Sequence, residues 1–330
     1  MGAPAIVFGA YSLQKNKTDN FYKDVIIGLK SVPKRLSSKY FYDAKGDKLF
    51  QEIMHCQEYY PTRCELEIFS KKTAEICEAI IGDGSAFDLI ELGAGDATKS
   101  SYLLQYLIEQ KADFTYLPID ISDNVISYLT ASLPVSLPSL RMRGLNGEYF
   151  DMLKEAAASS GRRKVVMFLG SNIGNMTANE ALEFCKGIRN NLSSGDMVLM
   201  GFDLKKNPKT ILAAYNDKNG ITKRFNLNLL ERINRELNAD FHLSKFDHYP
   251  TYDPETGACK SYLISLEEQE VTINNKEHIR FLKNEYIYTE ISQKFTVLQT
   301  EQIAENAGFK PVTCFFDSKK WFLDAIWIVE

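Results

Sequence analysis

Four stretches of the chain are apolar at nearly every position: Phe87 to Leu92, Phe114 to Ile119, Lys164 to Leu169 and Asp196 to Phe202. Short, continuous runs of this kind predict strands buried on both faces of a parallel sheet. Helical spacing lies between them, with Leu103, Leu104, Tyr106 and Leu107 over Ser100 to Gln110 and a second helix over about Ala178 to Leu192. Ser139 to Leu145 reads as a further strand. Val312 to Phe316 and Phe322 to Val329 read as two closing strands after a helix over Thr300 to Ala307 that Gly308 stops. The expectation is an α/β, Rossmann-like sheet.

A different rhythm flanks it. Residues 1 to about 20 show no clear period, and Phe21, Val25, Ile26 and Leu29 then suggest a short helix ended by Ser31-Val32-Pro33-Lys34. Leu49, Phe50, Ile53 and Met54 predict another, and Cys64 to about Ile81 a third. After Asp203, Pro208 to Tyr215 and Phe225 to Leu237 look helical. From His248 to Phe281 the patterns shorten and alternate, and Tyr288, Glu290 and Ser292 carry a period of two onward. Residues 1–63 with 205–293 are therefore expected to form a second, α+β lobe that takes a substrate. Residues 64–204 with 294–330 are expected to form the cofactor-binding domain.

The first apolar run ends in Glu91-Leu92-Gly93-Ala94-Gly95, and the second in Asp120. Strand, glycine turn, helix, strand and terminal acid make the first half of a nucleotide-binding unit. Glycines let the backbone turn sharply and approach a ligand, and Asp120 is placed to accept from ribose hydroxyls. A dinucleotide fingerprint has a third glycine for the pyrophosphate, and here that position is Thr98, followed by Lys99. S-adenosylmethionine has no pyrophosphate, so the pattern favours methyl transfer over hydride transfer. The apolar run 164–169 ends in Gly170-Ser171-Asn172-Ile173-Gly174-Asn175, small and amide residues suited to a ligand crevice.

Methylating an amine needs groups that hold an unprotonated nitrogen in line and exclude water. Tyr59, fixed by Pro61 just after it, and Asn175 suit that task. Glu290 and Ser292 would project together and could fix a polar side chain, although a solvated strand face gives the same pattern.

Composition narrows the classes. The 330 residues are 45% hydrophobic with a formal net charge of -4, which speaks against nucleic-acid binding. Six scattered cysteines lack metal or redox spacing, the four histidines form no zinc motif, and no apolar stretch approaches membrane-spanning length. A cytoplasmic monomer without metal, acting on a small amino-acid substrate, is expected.

Several motifs in order resemble the histidine-specific Nα-methyltransferases of the ergothioneine pathway. They are Tyr42-Asp43 with Gly46 and Leu49-Phe50; Glu58-Tyr59-Tyr60-Pro61-Thr62-Arg63; Glu91-Leu92-Gly93-x-Gly95 with Lys99; and Phe168-Leu169-Gly170-Ser171-x-Ile173-Gly174-Asn175. Phe225-Asn226-Leu227-Asn228, Asn234-Arg235-Glu236-Leu237 and Thr289-Glu290-Ile291-Ser292-x-Lys294-Phe295 complete the set, from about residue 40 to 295. The resemblance implies a class I methyltransferase sheet with S-adenosylmethionine against Glu91, Gly93, Gly95, Lys99 and Asp120, and with Glu148 and Tyr149 flanking the adenine. It implies that Tyr59, Asn175 and Tyr215 meet the amino acid, that Tyr42 lies near the amine, and that Glu290 and Ser292 hold the imidazole. A family methionine beside the imidazole is expected at Ser261, which would widen and polarise that pocket. The implied reaction is methylation of L-histidine to the trimethyl betaine, hercynine. The alternatives are the same chemistry on another aromatic amino acid or a histidine derivative, or a catalytically silent S-adenosylmethionine-binding module.

Overall fold

The computed structural model describes residues 19–330, so the aperiodic stretch expected at the start lies almost wholly outside the described residues. The chain divides into two compact units. The first joins the described residues up to Tyr59 with Asn207–Ile291, and the second joins Tyr60–Lys206 with Ser292–Glu330.

The first unit opens with helix α1 (19–30), which buries Phe21, Val25 and Leu29 as their spacing predicts. The two-residue strand β1 (Lys34–Arg35) follows, unannounced by any apolar run. Helix α2 (Ala44–His55) starts where the Asp43 carboxylate accepts from the Gly46 amide at 2.7 Å, an N-cap that satisfies an orphan donor.

In the second unit, α3 (Pro61–Lys71) and α4 (Thr73–Ile81) replace the single helix expected there, because the backbone leaves helical geometry at Lys72. Then come β2 (Phe87–Leu92), α5 (Ser100–Glu109), β3 (Phe114–Asp120), α6 (Asp123–Ser136), β4 (Leu145–Asn146), α7 (Tyr149–Ala158), β5 (Arg163–Phe168), α8 (Ala178–Arg189) and β6 (Met197–Asp203). The strand expected over Ser139 to Leu145 shrinks to β4, with one isolated bridge from Met142 to Tyr116. At this sheet edge Arg141 and Arg143 are exposed, so nothing buries a longer strand.

The chain returns to the first unit with α9 (Pro208–Ala214), α10 (Ile221–Leu237), β7 (Phe246–Tyr252), β8 (Ala258–Ser265), β9 (Gln269–Ile273), β10 (Glu277–Phe281) and β11 (Tyr286–Gln293). It passes back within β11, between Ile291 and Ser292, and ends with α11 (Val297–Asn306), β12 (Lys310–Phe316) and β13 (Phe322–Ile328).

The second unit's seven-stranded sheet runs β12-β13-β6-β5-β2-β3-β4. Strands β4, β3, β2, β5 and β6 are parallel, and β13 inserts antiparallel between β6 and β12. This is a Rossmann-like sheet, and the order reverses beside β2, where ligands bind in open α/β sheets. The first unit has a four-stranded sheet, β1-β11-β8-β7, and a β9–β10 hairpin. Each unit has its own core, one around Val166, Phe168, Met200 and Trp327, the other around Phe41, Phe225, Leu229 and Ile287. Among the described residues no helix is long and apolar enough to cross a membrane.

Candidate functional site

The turn after β2 is left-handed at Gly93 and Gly95 (φ +71° and +54°), a conformation that favours glycine. A Cβ on Gly93 would lie 2.7 Å from the Tyr149 hydroxyl, whereas one on Gly95 would meet nothing within 4 Å. The cradle is closed on one side by a phenol and open on the other. Asp120 ends β3, accepts from the Ser122 amide at 2.9 Å and lies 3.5 Å from the Gly95 amide; burial raises its pKa. Glu148 immediately precedes α7, and Tyr149 begins it. Burial, then the charges of Asp120 and Glu148, push the Tyr149 phenol up to about 12, so it remains a hydrogen-bond donor at neutral pH.

The turn after β5 converges on the same place. Gly170 is also left-handed, and a Cβ there would lie 3.5 Å from the Lys99 ammonium and 3.6 Å from the Asn172 side-chain amide. The same amide would lie 3.6 Å from a Cβ on Gly93. Gly93, Gly95, Lys99, Asp120 and Tyr149 are thus gathered with Gly170 and Asn172. Glu91 is placed differently. It is buried, with one oxygen accepting from Ser100 and the other from Tyr116, each at 2.5 Å. Burial raises its pKa to about 7.

Asn175 closes a short 3-10 turn (Asn172–Asn175) and is exposed. Gly174 in that turn abuts the Gln293 carbonyl, 2.9 Å from where its Cβ would be. Nearby in sequence, the Ser292 hydroxyl accepts from buried Lys294 at 2.8 Å, and Lys294 pairs with Asp203 at 2.7 Å. Asp203 also accepts from the Tyr60 hydroxyl at 2.8 Å and pairs with Lys206. Burial opposes its ionisation, but the two ammonium groups outweigh that and hold its pKa below the usual value.

In the first unit the expected tyrosines stand in one aromatic array. Tyr42 meets Phe50 edge-on at 5.7 Å between centroids, Phe50 meets Tyr59 at 6.3 Å, and Tyr59 meets Tyr215 at 6.2 Å. Phe50 joins Tyr42 to Tyr59, and Tyr59 carries the array on to Tyr215.

The sheet separates two residues that were expected together. Tyr262 of β8 packs against Tyr286 and Tyr288 of β11, at 5.1 and 5.8 Å, so the even-numbered positions of both strands share a face. Glu290 and Ser292 continue that face. Ser261 points the other way, where its hydroxyl lies 3.2 Å from His248 Nε2 and its carbonyl accepts from Thr289 at 3.0 Å. Burial lowers the His248 pKa to about 4, so that imidazole is neutral near pH 7. By alternation Lys260, not Ser261, shares the face of Glu290. The missing signal was strand register, which one strand's sequence does not carry.

Residues 21–329 match the family described as histidine-specific methyltransferase, SAM-dependent. The chain belongs to that family. This histidine-specific methyltransferase family member is 34% identical over 274 residues to the histidine N-alpha-methyltransferase of Mycolicibacterium smegmatis, covering 83% of this chain and 84% of that one. It is 33% identical to the protein of the same name from Mycobacterium tuberculosis, with the same coverage. It is 30% identical to ergothioneine biosynthesis protein 1 of Neurospora crassa, across 86% of this chain but 32% of that one. The family member is an S-adenosylmethionine-dependent methyltransferase, and its glycine turn suits that cofactor: an open cradle at Gly95, a phenol against Gly93 and a carboxylate at Asp120, without the third glycine.

Proposed function

We propose that this methyltransferase acts on the α-amino nitrogen of L-histidine and adds three methyl groups, giving hercynine. The observation that carries the reading is the shared face of Glu290 and Ser292, a carboxylate and a hydroxyl two residues apart on β11, in a chain of a histidine-specific family. A carboxylate and a hydroxyl can satisfy both nitrogens of one imidazole ring.

When bound, S-adenosylmethionine supplies an electrophilic methyl group on sulfur. Gly93, Gly95, Lys99, Asp120, Glu148 and Tyr149 hold it, with Glu91 bracing the turn from beneath through Ser100 and Tyr116. Tyr59 and Asn175 hold the amine as an unprotonated nucleophile, with Tyr42 near it, and Tyr215 orients the amino acid. Their oxygens accept from the amine, which keeps its lone pair free. Ser261, on the far face of β8, acts through the strand rather than by touching the ring. The six cysteines are all free thiols, which supports the expected cytoplasmic location.

A histidine derivative with a further acidic or hydrogen-bond-accepting group is the second reading, favoured by Lys260 on the Glu290 face. Incubation with S-adenosylmethionine and a pool of amino acids, followed by mass spectrometry, tests both. Trimethylated histidine is the expected product. Methylation of tryptophan or tyrosine but not histidine would sink the histidine assignment, and cofactor binding without any product would favour a silent module.

A further inference from the structure

Glu65 lies on α3 and is 1% exposed. One of its oxygens accepts from the Gly170 amide at 2.6 Å, and the other binds the Lys99 ammonium. A single buried carboxylate therefore ties the turn after β5 to the residue just before α5. Behind it stands Asp324, in the middle of β13 and 0% exposed, with no donor at either oxygen. Gly201 of β6, the register partner of Asp324, makes the room: a Cβ there would fall 2.5 Å from a Glu65 oxygen and 3.1 Å from an Asp324 oxygen.

Burial and then the neighbouring Glu65 charge raise the Asp324 pKa well above its ordinary value. Asp324 therefore keeps its proton more readily than an ordinary carboxyl, and when protonated it can donate to Glu65. Burial works against the Lys99 charge, but Glu65 outweighs it and raises the Lys99 pKa. With a proton on Asp324 the cluster holds one ammonium, one carboxylate and one neutral acid, and is balanced. Were Asp324 ionised, the cluster would carry a net negative charge and repel an anionic group approaching Lys99.

We propose that Glu65 is a positioning residue for cofactor binding: it aims the Lys99 ammonium at the carboxylate of S-adenosylmethionine and locks the Gly170 turn beside it. The proposal rests on the Lys99 contact given under the proposed function and is independent of the acceptor.

Calorimetric titration of Glu65→Gln with S-adenosylhomocysteine, and with 5′-methylthioadenosine, which lacks the carboxylate, tests it. The Kd for S-adenosylhomocysteine should rise at least about tenfold, as expected when a charge-assisted contact is lost. Binding of 5′-methylthioadenosine should change little. Lys99→Met should show the same split, and adding Glu65→Gln to it should cost nothing more. Equal losses for both ligands in Glu65→Gln make Glu65 purely structural and overturn the proposal, as does no loss for either. A Lys99→Met variant that binds both ligands normally removes the Lys99 contact, and the proposal with it. Should Glu65→Gln not fold, Glu65→Asp keeps the charge but is one methylene too short to span both partners. The same split, or its absence, then decides.

Discussion

The two units bury polar groups in opposite ways. In the second unit, β2 and β6 are buried along their whole length, so Asp88 and Glu91 of β2 and Asp203 of β6 sit in the interior, as does Asp324 of β13. Buried charges are costly unless partnered, and here Glu91 is held by Ser100 and Tyr116, and Asp203 by Lys294, Lys206 and Tyr60. In the first unit, β8 alternates buried and half-buried positions, and Lys260, Tyr262 and Ile264 stand on the more open face. Groups there are partly solvated, so a change costs less than at a fully buried charge. The second unit is interlocked, and the open strand face of the first is tunable.

The sharpest break of that contrast is Asp203→Ala. It would leave Lys294 and Lys206 buried without their carboxylate, and a loss of about 3–5 kcal/mol is expected for breaking a buried pair. Urea unfolding measures it, and a loss near that of an exposed pair would show that the network is not closed.

Next comes the pair Glu290→Ala and Ser261→Ala. Glu290→Ala should weaken histidine binding by roughly 1.5–3 kcal/mol, the range for a charged hydrogen bond, while sparing S-adenosylhomocysteine. Ser261→Ala, on the other face, should weaken histidine less. Equal effects would put both residues against the ring and contradict the strand alternation.

The smallest expected effect concerns pH. The folded Glu91 pKa is raised from 4.5 to about 7, so the folded state holds the proton more tightly than the unfolded chain. Its contribution is fully present below pH 4.5 and is lost as pH rises through about 7. The unfolding free energy of the unaltered protein should fall between these limits by an increment missing in Glu91→Gln, a fraction of the roughly 3–4 kcal/mol ceiling that the shift sets. Parallel profiles for the two proteins would place the titration elsewhere.

Legibility followed the same division. Strands β2, β3, β5 and β6 were readable because burial on both faces leaves a nearly continuous apolar run, and the glycine turns after β2 and β5 because backbone geometry demands that residue type. β1 was not readable, since two residues paired in parallel with Ile287 and Tyr288 leave no period. Glu65 looked like an ordinary helix acid, because its partners lie 34 and 105 residues away. Ser261 was misplaced relative to Glu290 for a related reason: a strand's own sequence states that its faces differ, and only the neighbouring strand states which face is which.

The crossing inside β11 has a consequence for recombination. Because the chain changes units between Ile291 and Ser292, no single cut excises the first unit as a cassette. A graft of residues 207–291 into a relative would carry Glu290 and leave Ser292 behind, with the aromatic array lacking Tyr42, Phe50 and Tyr59. Exchange of specificity by gene shuffling therefore needs breakpoints placed beyond Gln293 and a matched amino-terminal segment. Under the proposed function, drift of single residues on the open strand face is the easier route to a new acceptor.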